Sequence, residues 1–170
     1  MVRISFFILF LIGFNLNSFA QVVQSASAAA TIVSPINLMK INDLSFGNIS
    51  VNSYGGVVSI SPAGTRSING GITLPNTTGQ VSPAAFSVSG MLGYTYSITL
   101  PSQVTITNTF GTGGETMMVD SFVSDPTSTG NLGTSGSQSL NIGATVHVAP
   151  NQVPGTYVSI SPFNVSVNYN

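Results

Sequence analysis

Apolar and polar positions alternate one for one through most of this chain. From residue 163 onward Phe163, Val165, Val167 and Tyr169 share one face of an extended chain, and Asn164, Ser166 and Asn168 share the other. Strict alternation with β-branched and aromatic residues predicts a half-buried strand. The rest of the chain reads as a sandwich that this terminal strand closes.

The same period recurs upstream. Val58 and Ile60 alternate with serines before a Pro62-Ala63-Gly64 turn, and Ile72 and Leu74 follow Asn69-Gly70-Gly71, a tight-hairpin signal. Phe86 and Val88 form another run, and Val104 and Ile106 a short one. Tyr94, Tyr96, Ile98 and Leu100 alternate with Thr95, Ser97 and Thr99; Leu140, Ile142, Ala144, Val146 and Val148 alternate with Asn141, Gly143, Thr145 and His147. Residues 117–123 do not hold one phase, which predicts a bulge. The phase breaks again at Ser161-Pro162, where proline cannot donate to a ladder, so a bent or edge strand is expected there.

No helical period of useful length occurs, and good helix formers are scarce. About nine or ten short strands between turn signals predict an all-β, antiparallel β-sandwich rather than a parallel sheet. Residues 31–170 read as a single domain, preceded by an N-terminal extension over 21–30. Residues 111–114 and 127–136 read as mobile loops that could present a ligand surface.

The first twenty residues look different. Arg3 precedes an apolar run from Ile4 to Phe14, and Ser18-Phe19-Ala20 places small residues where a signal peptidase cuts. This predicts a signal peptide over 1–20, with cleavage after Ala20. The run of 11 residues is short against the ~20 of a membrane-spanning helix. No later stretch is apolar enough to anchor as a helix, so the expected product is secreted: periplasmic, at the cell surface or extracellular.

Charge then narrows the function. Beyond Ala20 the charged residues are Lys40, Arg66, Asp43, Glu115, Asp120 and Asp125, a net of −2 from two positive and four negative groups. Phosphate recognition needs clustered Lys and Arg, so nucleic acid is not an expected partner. Sparse charge also removes the usual guard against edge-to-edge sheet pairing, which suits a subunit that assembles. The chain has no Cys and so no disulfide.

Four stretches carry a resemblance. Residues 30–36, Ala-Thr-Ile-Val-Ser-Pro-Ile, and residues 43–49, Asp-Leu-Ser-Phe-Gly-Asn-Ile, are similar to the opening of the bacterial family catalogued as domain of unknown function 4402. Residues 96–101, Tyr-Ser-Ile-Thr-Leu-Pro, and the ending from Gly155-Thr156-Tyr157 to Val167-Asn168-Tyr169 resemble it as well. More loosely, the Leu-Ser-Phe-Gly element and the penultimate tyrosine resemble chaperone–usher pilin subunits and spore-coat-U-like proteins. That resemblance implies an immunoglobulin-like, pilin-like sandwich completed by a strand from a neighbour, and a periplasmic chaperone as a possible partner. The sequence lacks the cysteine pair of many pilins.

Candidate chemistry is sparse. His147 is the sole histidine, and its odd position in an even-apolar strand places it on the solvent face. A catalytic triad or a zinc site would have to use it. Asp120 and Asp125 flank Phe122 without the Asp-x-Asp-x-Asp spacing of a calcium loop. No enzyme activity, cofactor or metal is expected. The candidate site is one of assembly. Val22, Val23, Ala26, Ala28 and Ala30 lie in the extension, where Ala26, Ala28, Ala30 and Ile32 alternate with polar residues and could add as a strand to another subunit. Phe163, Val165, Val167 and Tyr169 form the other half of the candidate set. The expected function is a non-catalytic structural subunit of a surface fibre, fimbria or coat, with its own copies or homologous subunits as partners. The alternative is a secreted module that binds a glycan or protein through its loops.

Overall fold

The computed structural model describes residues 21–110 and 114–170. The expected signal peptide and residues 111–113 of one expected loop lie outside the described residues. Every regular element described is a strand. The first six are β1 (Asn37–Asn42), β2 (Ser45–Phe46), β3 (Ser50–Ile60), β4 (Arg66–Thr73), β5 (Val81–Ser82) and β6 (Ala84–Ser89). Next come β7 (Thr95–Thr99), β8 (Gln103–Asn108), β9 (Thr116–Asp125) and β10 (Thr129–Asn131). The last are β11 (Ser137–Val148), β12 (Tyr157–Val158) and β13 (Ser166–Tyr169). All pairings are antiparallel.

The strand that organises the molecule is β11, not the C-terminal stretch that the sequence suggests. Along one edge β11 pairs with β9, from Asn141↔Asp125 to His147↔Met118. Along the other it pairs first with β6, from Ser137↔Ser89 to Ile142↔Ala84, and then with β3, from Ala144↔Ile60 to Val148↔Gly56. Gly143 sits at this change of partner. A Cβ there would run into the carbonyl oxygen of Ile60, so a side chain is excluded by backbone rather than by a movable neighbour. The outer members follow from these contacts: β1 on β6, β4 on β3, β8 on β9, and β12 on β8, giving an eight-stranded sheet.

The alternation read from the sequence sets the inner face of that sheet. Leu140, Ile142, Ala144, Val146 and Val148 are all buried. Val146 and Val148 join Val58, Ile72, Val119 and Ala144 in one apolar cluster, against which Leu44, Phe46, Ile49 and Val51 pack. Leu140 and Ile142 join Ala84, Val88, Tyr96 and Leu132 in the other. Tyr96 lies on β7 of a three-stranded sheet, β10-β7-β13, and Leu132 directly follows β10. A two-stranded sheet, β2 with β5, completes the list. Each such aliphatic side chain removed from water contributes about 1.5–3 kcal/mol before ordering costs.

The expected bulge is present. Gly143 faces Val123 and Thr145 faces Asp120, so Ser121 and Phe122 together oppose one residue of β11. Ser121 has a φ of 51°, in the left-handed region. The extra residue turns Phe122 to the apolar interior, where its ring lies 5.1 Å from that of Phe163.

Three expectations are corrected. Asn69-Gly70-Gly71 is not a hairpin turn; it runs inside β4, and the β3–β4 reversal is made at residues 61–65, where the Gly64 amide donates to the Ser61 carbonyl at 2.8 Å. The glycines serve a kink instead. Gly70 has a φ of 80° and pairs with Gly56 beside an irregularity in β3 between Val51 and Gly56. Residues 127–136 are not a free loop either. They contain β10, which pairs with β7, and they bury Leu132 completely. The alternation from Phe163 gives a ladder only from Ser166; Phe163 and Val165 precede it, in non-strand backbone but packed on the core.

The compact unit is formed by Val33–Asn170. Residues 21–36 carry no regular element, and Ala26, Ala28 and Ala30 are exposed, as are Val22, Val23 and Ile32. No helix among the described residues is long and apolar enough to cross a membrane.

Candidate functional site

The two strands nearest the ends of the compact unit both lie at open edges. Among the described residues β1 pairs only with β6, and β13 pairs only with β7, from Ser166↔Thr99 to Tyr169↔Tyr96. They belong to different sheets yet border the same apolar cluster. Ile36 and Leu38 pack on it from the β1 side, and Phe163, Val165, Val167 and Tyr169 from the β13 side. All six are half-buried, whereas Leu140 and Ile142 beneath them are fully covered. An unpaired strand edge presents N–H and C=O groups that a further strand can satisfy. Between the β7–β8 connection and the segment leading into β13 lies a depression of about 440 Å³, bordered by Leu100, Pro101, Val104, Pro162 and Phe163.

Tyr169 is the most constrained residue of the set. Its hydroxyl accepts a 2.6 Å hydrogen bond from the Met91 amide and donates one of 2.9 Å to the Ser34 carbonyl. Its ring meets Tyr94 edge-on at 5.4 Å. Gly90 makes the room, since a Cβ there would strike the Tyr169 hydroxyl. Alternation placed Tyr169 on an apolar face but gave no sign of Ser34, Met91 or Gly90, because those contacts depend on register across three separate segments.

The Leu-Ser-Phe-Gly element is held from beneath. Gly47 has a φ of 71°, and the Arg66 guanidinium donates to the carbonyls of Phe46 at 2.8 Å and Asn48 at 3.3 Å. One of the two cations beyond Ala20 thus serves backbone carbonyls. The other, Lys40, pairs with exposed Asp43 at 2.7 Å.

On the outer face of the large sheet His147 does point to solvent, and its Nε2 lies 2.9 Å from Asp120 Oδ1 on β9. That hydrogen bond, with a further one from the Ser121 side chain, holds the Asp120 carboxyl below its ordinary range. Parity alone could place both residues outward; only the bulged register of β9 brings them together. Asp125 lies beyond the bulge, opposite Asn141. No group of three or more His, Cys, Asp or Glu side chains among the described residues could hold a metal ion.

No curated protein and no solved structure matches this chain. A family model does, across residues 36–169, which span the whole ladder from β1 to β13. The chain therefore belongs to the family described as Domain of unknown function (DUF4402).

Proposed function

We propose that this protein is a secreted, non-catalytic structural subunit of a surface fibre, fimbria or coat, assembling with its own copies or homologous subunits by strand pairing. The eight-stranded and three-stranded sheets are read as the two layers of an immunoglobulin-like, pilin-like sandwich, open on the side between β1 and β13. The observation that carries this reading is the pair of edges, unpaired among the described residues, bordering one half-covered apolar cluster. Into that opening we place residues 22–32 of another copy, with Val22, Val23, Ala26, Ala28 and Ala30 as the contributing side chains. Main-chain hydrogen bonds to the β13 edge would supply affinity, and the alternating small apolar residues would fit a shallow seam. The near absence of charge supports the reading, because no like-charge repulsion opposes edge-to-edge approach. A periplasmic chaperone would cover the same edge before assembly.

Electron microscopy of the purified protein beginning at Gln21, beside a variant lacking residues 21–32, tests this. Filaments or ordered oligomers from the first and monomers from the second are expected. A synthetic peptide of residues 21–33 should bind the truncated variant and protect the amides of β13 from hydrogen exchange. Strictly monomeric full-length material, even with its own cell envelope present, would sink the proposal.

A further inference from the structure

On the side of the large sheet facing away from both apolar clusters, β11 changes partners and β9 bulges at the same level. The two irregularities open a depression of about 400 Å³. Its floor lies where β3 ends beside β11, and hydroxyls surround it: Ser59 and Thr145, 2.8 Å apart, with Ser67 on β4 and Ser121 on the bulge. Val123, half exposed, forms an apolar wall. Register extends the lining into a row across the strands, since Ser67 pairs with Ser59, Ser59 with Thr145, Thr145 with Asp120, and Asp120 with Gln103. All five positions point outward.

We infer that this depression is a binding subsite for a neutral saccharide, distinct from the assembly edge. The volume lies within the range of small-ligand pockets. The lining supplies hydroxyls that both donate and accept; beside it, opposite Thr145 in the same row, the Asp120 carboxylate is an acceptor suited to sugar hydroxyls. Asp120 is already oriented by His147 and Ser121, so its free acceptor capacity is fixed in place by the sheet. No cation of the described residues serves the depression, because Lys40 is held by Asp43 and Arg66 by the Phe46 and Asn48 carbonyls. Phosphorylated or sulfated ligands therefore have no counter-charge there. Strand spacing of about 4.8 Å across the row is close to the advance of one ring in an extended β-linked glycan, so a chain of two or three sugars can follow it.

Amide spectra of the ¹⁵N-labelled protein, titrated with glucose, galactose, mannose, N-acetylglucosamine and their β-linked disaccharides, test this. At least one sugar should shift the amides of Ser121, Val123 and Thr145, with those of β13 unmoved. Thr145→Val, which keeps shape and strand preference, should weaken binding about tenfold, the loss of roughly one hydrogen bond to sugar. Asp120→Asn should weaken it as well, and Ser139→Ala, on the same face further along β11, should not. A native-like spectrum for each variant separates lost binding from lost folding. Absence of shifts with every sugar at tens of millimolar, or shifts that survive Thr145→Val unchanged, overturns the inference. Filament formation should be the same for Thr145→Val as for the parent, so either result leaves the assembly proposal to its own experiment.

Discussion

The Tyr169 hydroxyl donates a 2.9 Å hydrogen bond to the carbonyl of Ser34, a residue 135 positions earlier in the chain. The start of the compact unit is thereby tied to its last strand. Truncation separates the two roles of this side chain. Tyr169→Phe keeps the ring against Tyr94 and loses the hydroxyl, leaving the Met91 amide and the Ser34 carbonyl without this partner; a loss of about 1–2 kcal/mol is expected. Tyr169→Ala also removes the ring and should cost about 2–4 kcal/mol. Urea denaturation followed by tyrosine fluorescence and circular dichroism measures both, and a change below about 0.5 kcal/mol for the alanine variant would show that the residue is energetically idle.

Gly143→Ala should be among the most damaging small substitutions. The new methyl would meet the Ile60 carbonyl, at the point where β3 ends and β6 begins beside β11. Backbone cannot rotate away as a side chain can, so about 3 kcal/mol or more is expected, at the upper end for overpacking. Thermal unfolding compared with Gly133→Ala, where a Cβ meets no atom within 4 Å but φ is +53°, separates the clash from left-handed backbone strain alone. Equal losses in the two variants would refute the clash.

Acid should act partly through Asp120. Its folded-state carboxyl titrates below the ordinary range, chiefly because of the His147 hydrogen bond. The sign follows directly: a depressed carboxyl stabilises the fold above the ordinary carboxylate pKa of about 3.9, and that contribution disappears as pH falls through the lower, folded value. Asp120→Asn should therefore melt at a lower temperature than the parent at pH 6. The gap should close as pH drops below about 4. A gap of constant size down to pH 2 would mean that the effect is not electrostatic.

Leu132→Ala probes the segment that looks like a loop. Leu132 is fully buried beside Tyr96 and Leu140, and the Tyr96 hydroxyl donates at 2.9 Å to Gln138, which also accepts from the Asn131 amide. Replacement should cost about 2–5 kcal/mol by urea denaturation, as for other buried leucines. An effect near zero would return residues 127–136 to the mobile surface.

The sequence was most informative where one side of a strand is wet and the other dry. Tyr96, Val58, Ile60 and all five apolar residues of β11 were placed on the inner face by alternation alone, since a slip of one residue would expose them all. The bulge in β9 was legible for the same reason, as a loss of phase. Glycine and serine misled. Asn69-Gly70-Gly71 has the composition of a tight turn, yet the left-handed φ of Gly70 is used inside a strand that must bend beside Gly56. Residues 127–136 are so rich in Ser, Thr and Gly that one buried leucine carried too little weight. The outer-face pair of His147 and Asp120 could not be found by parity, because it depends on how far the bulge offsets β9 against β11. For the candidate assembly edge, alternation identified Phe163, Val165, Val167 and Tyr169; their shared border with Leu38 is tertiary and needed the fold.

The position of β11 has a temporal consequence. Three upstream strands or strand pairs, β1 with β6, β3 with β4, and β8 with β9, have no common partner until residues 137–148 exist. A ribosome that has reached residue 136 has made strand pairs without the spine that joins them. Such pieces gain little from one another before loop closure over long stretches has been met. The large sheet accordingly cannot close until residues 137–148 have emerged.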